Sequence, residues 1–217
     1  QHDNPLLHNI NDDNIQCLSF SKNLLRNGDL SVWQRGSEFN HTGGMTKLAD
    51  GYALLSDSTN AINIYKNPIN GINNFPKLSN SLLNVVSIGS SGTYRTLRIK
   101  LGELKNFSNK TLSLSFYLMT DVAFMANVVY VQKKGGVYTY KSMGEVDLKV
   151  GTYGKKYAIA GVSLDAGYDV VNTDTAYIDI SLPLTVFNIS FSAFYLKNSL
   201  LNYGFDFGCF IDNLNFY

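Results

Sequence analysis

The chain has 217 residues, with 18 lysines and arginines against 17 acids, 45% hydrophobic residues, 14 Tyr, 13 Phe and one Trp. Such a balance excludes the basic excess of a nucleic-acid binder and the composition of a disordered chain. No run of 18 apolar residues occurs, so no transmembrane helix or membrane insertion is expected. Charged residues make up 16% and there are 24 Asn, so solubility must come from Asn, Ser, Thr and Tyr.

Residues 1–22 show no period, and Pro5 breaks any early helix. They read as a lead-in or linker, with one domain over 23–217. A chain that opens on Gln1, without a signal-peptide pattern, is expected to be a fragment or a processed product. Cys17 and Cys209 form no disulfide framework; a single bridge and two buried thiols both stay open.

From Asn23 the period is two. A short strand is expected to end at the turn Asn27-Gly28-Asp29. A second carries Trp33 and ends at Gly36, and Ala49-Asp50-Gly51-Tyr52 opens a third. Further turn signals fall at Gly43-Gly44, Asn70-Gly71, Ser90-Ser91-Gly92 and Asn172-Thr173. Leu97, Ile99 and Leu101 alternate with Thr96, Arg98 and Lys100. Leu112, Leu114, Phe116 and Leu118 alternate with Thr111, Ser113, Ser115 and Tyr117.

Residues 128–142 predict a hairpin around Gly135-Gly136, with Val131 opposite Tyr140 and Gln132 opposite Thr139. Tyr130 is then opposite Lys141, on the face away from Val131. Ile178, Ile180 and Leu182, then Phe187, Ile189, Phe191 and Ala193, repeat the inward alternation. Phe194–Asn202 is the best helical candidate, and Cys209–Tyr217 reads as a closing strand. Short strands between turn signals, with few or no long helices, predict an all-β antiparallel sandwich or barrel.

Searching for catalytic chemistry finds no P-loop, no Gly-x-Ser-x-Gly elbow and no zinc spacing. His2, His8 and His41 fall in the lead-in or in loops. Asp165, Asp169, Asp174 and Asp179 form the densest acid cluster, and read as solvated residues rather than a glycosidase pair. The chain is therefore expected not to be an enzyme. Its outward strand faces supply Tyr94, Arg98, Tyr117, Tyr130, Gln132 and Lys141. Aromatic faces and planar donors are what the apolar side and the hydroxyls of a sugar ring require, so these are the candidate glycan-binding residues. A wetted sheet face or a subunit interface would use the same residue types.

The stretch Asn23-Leu24-Leu25-Arg26-Asn27-Gly28-Asp29, then Trp33-Gln34-Arg35-Gly36-Ser37, then Ala49-Asp50-Gly51-Tyr52, is more specific. It resembles the opening of the jelly-roll, carbohydrate-binding-module-like domains of bacteriophage tail fibres and related receptor-binding proteins, with Tyr52 in place of the usual Trp. Leu104–Phe116 and Phe210–Leu214 are weaker echoes of the same pattern. The resemblance implies a jelly-roll β-sandwich over 23–217, on the virion surface in a tail fibre or similar appendage. It implies a homotrimer whose partners are a host surface glycan and other virion or fibre subunits. Trp33, Gln34, Arg35, Asp50 and Tyr52 are expected to be structural. Related modules hold a structural Ca²⁺, for which Asn27, Asp29 and Asp212 are the candidates by position; the alternative is a plain Asx turn and a hydrogen-bonded Asp212. Three rival readings stand beside this one. They are a capsid or fibre decoration domain with its tyrosines buried between chains, a polysaccharide-degrading enzyme, and a binding module of a secreted bacterial enzyme.

Overall fold

A computed structural model describes residues 23–69, 75, 76, 78, 79, 81–103, 107, 110–163 and 175–198. The expected lead-in 1–22 and closing strand Cys209–Tyr217 lie outside the described residues. So do Cys17, Asp165, Asp169, Asp174, Asp212 and the Asn70-Gly71 and Asn172-Thr173 turns.

The strands are β1 (Glu38–His41), β2 (Gly44–Lys47), β3 (Tyr52–Ser56), β4 (Ile62–Pro68), β5 (Ser81–Ser87) and β6 (Arg95–Glu103). They continue with β7 (Thr111–Thr120), β8 (Phe124–Lys134), β9 (Val137–Leu148), β10 (Lys155–Ser163), β11 (Thr175–Ser181) and β12 (Phe187–Asn198). No helix occurs among the described residues.

The pairing defines the topology. β5 pairs with β12, β6 with β11, β7 with β10 and β8 with β9, all antiparallel. Strands β5–β8 thus pair in reverse order with β9–β12, as one long ribbon folded at the β8–β9 turn. Successive rungs of the ribbon pass to opposite sheets. The sheets read β1-β4-β5-β12-β7-β10 and β2-β3-β6-β11-β8-β9. The eight strands β5–β12 make a jelly roll, as the opening motif implied.

Alternation builds the core. Leu112, Leu114, Phe116 and Leu118 are all buried on one face of β7, and Leu97, Ile99 and Leu101 on one face of β6. Phe116, Phe191 and Phe194 form an aromatic cluster with centroids 5.6–5.9 Å apart. At the β8–β9 turn Gly135 and Gly136 have φ of 54° and 85°, the pair of left-handed conformations a two-residue hairpin turn needs. The hairpin register is the expected one: Val131 faces Tyr140, Gln132 faces Thr139 and Tyr130 faces Lys141.

Five expectations are corrected. Tyr130 does not face outward: with Ala126 and Val128 it lies inside, 1% exposed. Val131 is the outward residue, yet it is fully buried under its neighbours, so hydrophobicity pointed to the wrong face. Ala193 is not an inward strand residue. The register shifts between Ser192 and Tyr195, Ala193 has φ of 47°, and Phe194 takes the inward position. The helical candidate begins inside β12, which runs to Asn198, because that bulge displaces the period-two signal. Residues 23–36 form no strand, and His41 closes β1 rather than sitting in a loop.

Candidate binding face

The opening motif folds into a clasp. Asn23 donates from Nδ2 to the Phe194 carbonyl at 2.8 Å and accepts from the amides of Leu25 and Leu196. The Phe194 amide bonds the Gly28 carbonyl at 2.8 Å, so the bulge of β12 is held against the turn. Asn27 is the hub. Its Nδ2 donates to the carbonyls of Val32 and Asp50, and its Oδ1 accepts from the Val32 amide at 3.1 Å. This side chain supplies the partners a strand ladder would have given, which is why no strand forms here.

Trp33 donates its indole N–H to the Leu30 carbonyl at 2.6 Å and is half-buried beside Phe39. Tyr52 packs 5.3 Å from Phe194, and its hydroxyl donates to the Asn27 carbonyl at 3.2 Å. Burial pushes the Tyr52 phenol far above its ordinary range, assisted by the charge of Asp29. Arg35 lies 3.6 Å from Asp50, half exposed, and Gln34 is exposed. All but Gln34 thus hold strands or loops together.

Of the three Ca²⁺ candidates, Asn27 and Asp29 are described and Asp212 is not. Asp29 Oδ1 accepts from the amide and hydroxyl of Ser31, an Asx turn, and Asn27 Oδ1 is committed to Val32. Six to eight oxygens are what the ion requires. Among the described residues no group of three or more His, Cys, Asp or Glu converges.

A different surface gathers the chemistry a ligand needs. On the outer face of the β2-β3-β6-β11-β8-β9 sheet, residues fall into rows across the strands. One row runs Lys100, Tyr177, Val131, Tyr140. The next runs Lys47, Ala53, Arg98, Asp179, Val129, Ser142. A third carries Glu103, Thr175, Lys133 and Tyr138.

At its centre Arg98 donates from Nε to Asp179 Oδ1 at 2.7 Å and from Nη2 to Asp179 Oδ2 at 2.6 Å. Its guanidinium carbon lies 4.9 Å from the Tyr177 ring centroid and 5.6 Å from that of Tyr138. The hydrogen bonds to Asp179 hold the Arg98 group above its ordinary value. A fork so paired and stacked is fixed before any ligand arrives. Among the described residues nothing accepts from Nη1. Tyr140 beside it is 65% exposed, a free ring face on a rigid strand.

Of the six expected ligand residues, Arg98 alone sits at this centre. Tyr94 precedes β6, exposed, four residues from Arg98 and roughly 13 Å away by strand rise. Tyr117 lies on β7, in the other sheet. Tyr130 is in the core, where burial raises its phenol to about 12. Gln132 and Lys141 share the side of β8 and β9 that Tyr130 takes.

Tyr138, Tyr140, Tyr177 and Lys133 were not among the expected residues, and Asp179, read as a solvated acid, is instead paired with Arg98. The hairpin register already placed Tyr138 opposite Lys133 and Tyr140 opposite Val131, and correct facing of Val131 would have found both. The partnership of Arg98 with Asp179 needs the β6–β11 pairing, which joins positions 81 residues apart.

No protein-family model and no curated protein matches the chain. Among solved structures it is similar to the enzymatically active domain of tailspike protein 4 of bacteriophage CBA120, at 13% identity and TM-score 0.46. That match covers 82% of this chain and 21% of the other, so the chain spans about a fifth of the tailspike domain. It is similar to the CBM22-2 xylan-binding domain of Paenibacillus barcinonensis Xyn10C, at 15% identity and TM-score 0.45, over 67% of this chain and 91% of that one. It is also similar to the N-terminal cellulose-binding domain of Cellulomonas fimi β-1,4-glucanase C, at 10% identity and TM-score 0.42, over 56% and 81%. At these identities the likenesses assign no function.

Proposed function

We propose that this chain is a non-catalytic module that recognises a host surface glycan through the Arg98 face, as part of a trimeric virion appendage. The observation that carries the glycan reading is the Arg98 fork, held by Asp179 between Tyr177 and Tyr138 beside the exposed ring of Tyr140. Tyrosine rings take the apolar side of a pyranose, and the fixed N–H donors take its hydroxyls. Since the fork is already ordered, little side-chain entropy is lost on binding. A shallow face of this kind binds weakly per copy, and three copies on one appendage raise the avidity. The appendage and the trimer are supported by the opening motif's resemblance.

The test is binding of fluorescently labelled native oligomer to a panel of bacterial cells, with extracted surface polysaccharide as competitor. Strain-selective binding that free polysaccharide removes is expected. Tyr140→Ala should weaken it about fivefold to tenfold, the loss of one aromatic contact worth roughly 1–1.5 kcal/mol. A folded oligomer that binds no strain, with Tyr140 protected between subunits, would establish the decoration-domain reading instead.

A further inference from the structure

On these three rows Arg98, Lys133, Lys100 and Lys47 meet two carboxylates, Asp179 and, two strands from Lys133, Glu103. Lys133 Nζ lies 5.3 Å from the Tyr138 centroid, and the Arg98 guanidinium carbon lies 5.6 Å from the same centroid. Asp179 is bonded to Arg98. Among the described residues no carboxylate pairs with Lys133, nor with Lys100 or Lys47 on the adjoining rows. The quadrupole of one ring offsets two neighbouring cations only in part. An anion beside them offsets more.

Arg98 also has the donors to receive one. Asp179 takes the Nε–Nη2 edge, and the Nη1–Nη2 edge keeps the spacing that binds a second carboxylate through two parallel bonds. We infer that the face selects an acidic polysaccharide, whose ring carboxylate docks on the Nη1 side of Arg98 close to the Lys133 ammonium. The neutral parts of its sugar rings lie on Tyr140 and Tyr138. This inference rests on the reading of the same face as a glycan site.

The test uses the native oligomer with alginate, hyaluronate and polygalacturonate, each beside its carboxyl-reduced form, which keeps the rings and hydroxyls. At least one acid polymer should bind at least tenfold more tightly than its reduced form, with affinity falling as salt rises. Lys133→Gln should cost several-fold more affinity for the acid form than for the reduced form. Equal binding of both forms would overturn the charge selectivity and leave the glycan face standing. Binding of neither form of any polymer would overturn this inference, while the cell panel above decides separately whether the face binds glycan at all.

Discussion

Single side chains hold this sandwich at places where the strand ladder cannot. Asn27, 5% exposed, bonds three backbone groups of the Val32 and Asp50 segments. Each such bond contributes about 1 kcal/mol, and a stranded buried group costs more. Asn27→Ala should therefore lower unfolding free energy by roughly 2–4 kcal/mol in urea titration. A loss well under that range would mean the clasp is incidental. His41 is likewise buried, its ring nitrogens 2.8 Å from Thr46 Oγ1 and 2.7 Å from Ser56 Oγ. Burial holds it below the ordinary imidazole value of 6.5. Below 6.5 the unfolded chain takes up a proton that the folded chain refuses, so stability falls as pH drops from 6.5 toward the lowered value and is flat above it. Urea midpoints on either side of that window should show the fall in the wild type and a smaller one in His41→Gln. Identical slopes in both would contradict it. The motif implied a structural Tyr52, whereas Asn27 read as a metal ligand or part of a plain Asx turn, and its bonds to Val32 and Asp50 carried no local signal. The burial of His41 was not legible either, because its partners come from β2 and β3 and leave no local pattern.

Among the elements, the β8–β9 hairpin was the most legible, since two adjacent glycines fix both turn and register locally. Its facing was misread because Val129 and Val131 are apolar on an outward face. There they lie beneath Tyr140, Tyr177 and the Arg98–Asp179 pair, so polarity no longer reports direction. The β12 bulge was illegible for a related reason. A single inserted residue at Ala193 moves Phe194 inward, so the alternation breaks where the helical candidate Phe194–Asn202 begins. That bulge is where the opening turn docks. A Cβ on Gly28 would overlap the Phe194 carbonyl and the Asn23 side chain, and Phe194 carbonyl is backbone that cannot swing aside. Gly28→Ala should destabilise by about 2 kcal/mol or more, read from the thermal or urea midpoint. Wild-type stability in this variant would show that the turn and β12 do not touch as described.

Across the whole molecule, the ribbon topology sets two sheet faces with different chemistry. One outer face carries mainly amides and hydroxyls, including Asn40 bonded to Asn63 at 2.9 Å and Asn84 bonded to Asn188 at 2.7 Å, with Glu38 and Lys156 on its two edge strands. The other carries Arg98, Asp179, Lys133 and three tyrosines. Alternation alone made an antiparallel sandwich or barrel legible, and the resemblance implied the sandwich. The two-sheet split was not legible, since β6 and β11 or β5 and β12 meet only through pairings distant in sequence. Tyr117 and Arg98 therefore read as neighbours on one wetted surface, although they point from opposite sides of the molecule. The measurement that bears most directly on the claim for the Arg98 face is amide chemical-shift mapping of the labelled protein, titrated with a polysaccharide it binds. The account predicts shifts concentrated on β6, β8, β9 and β11, at Arg98, Lys133, Tyr138, Tyr140, Tyr177 and Asp179. Shifts concentrated instead on β4, β5, β7 and β12, around Asn84, Tyr117 and Asn188, would contradict it.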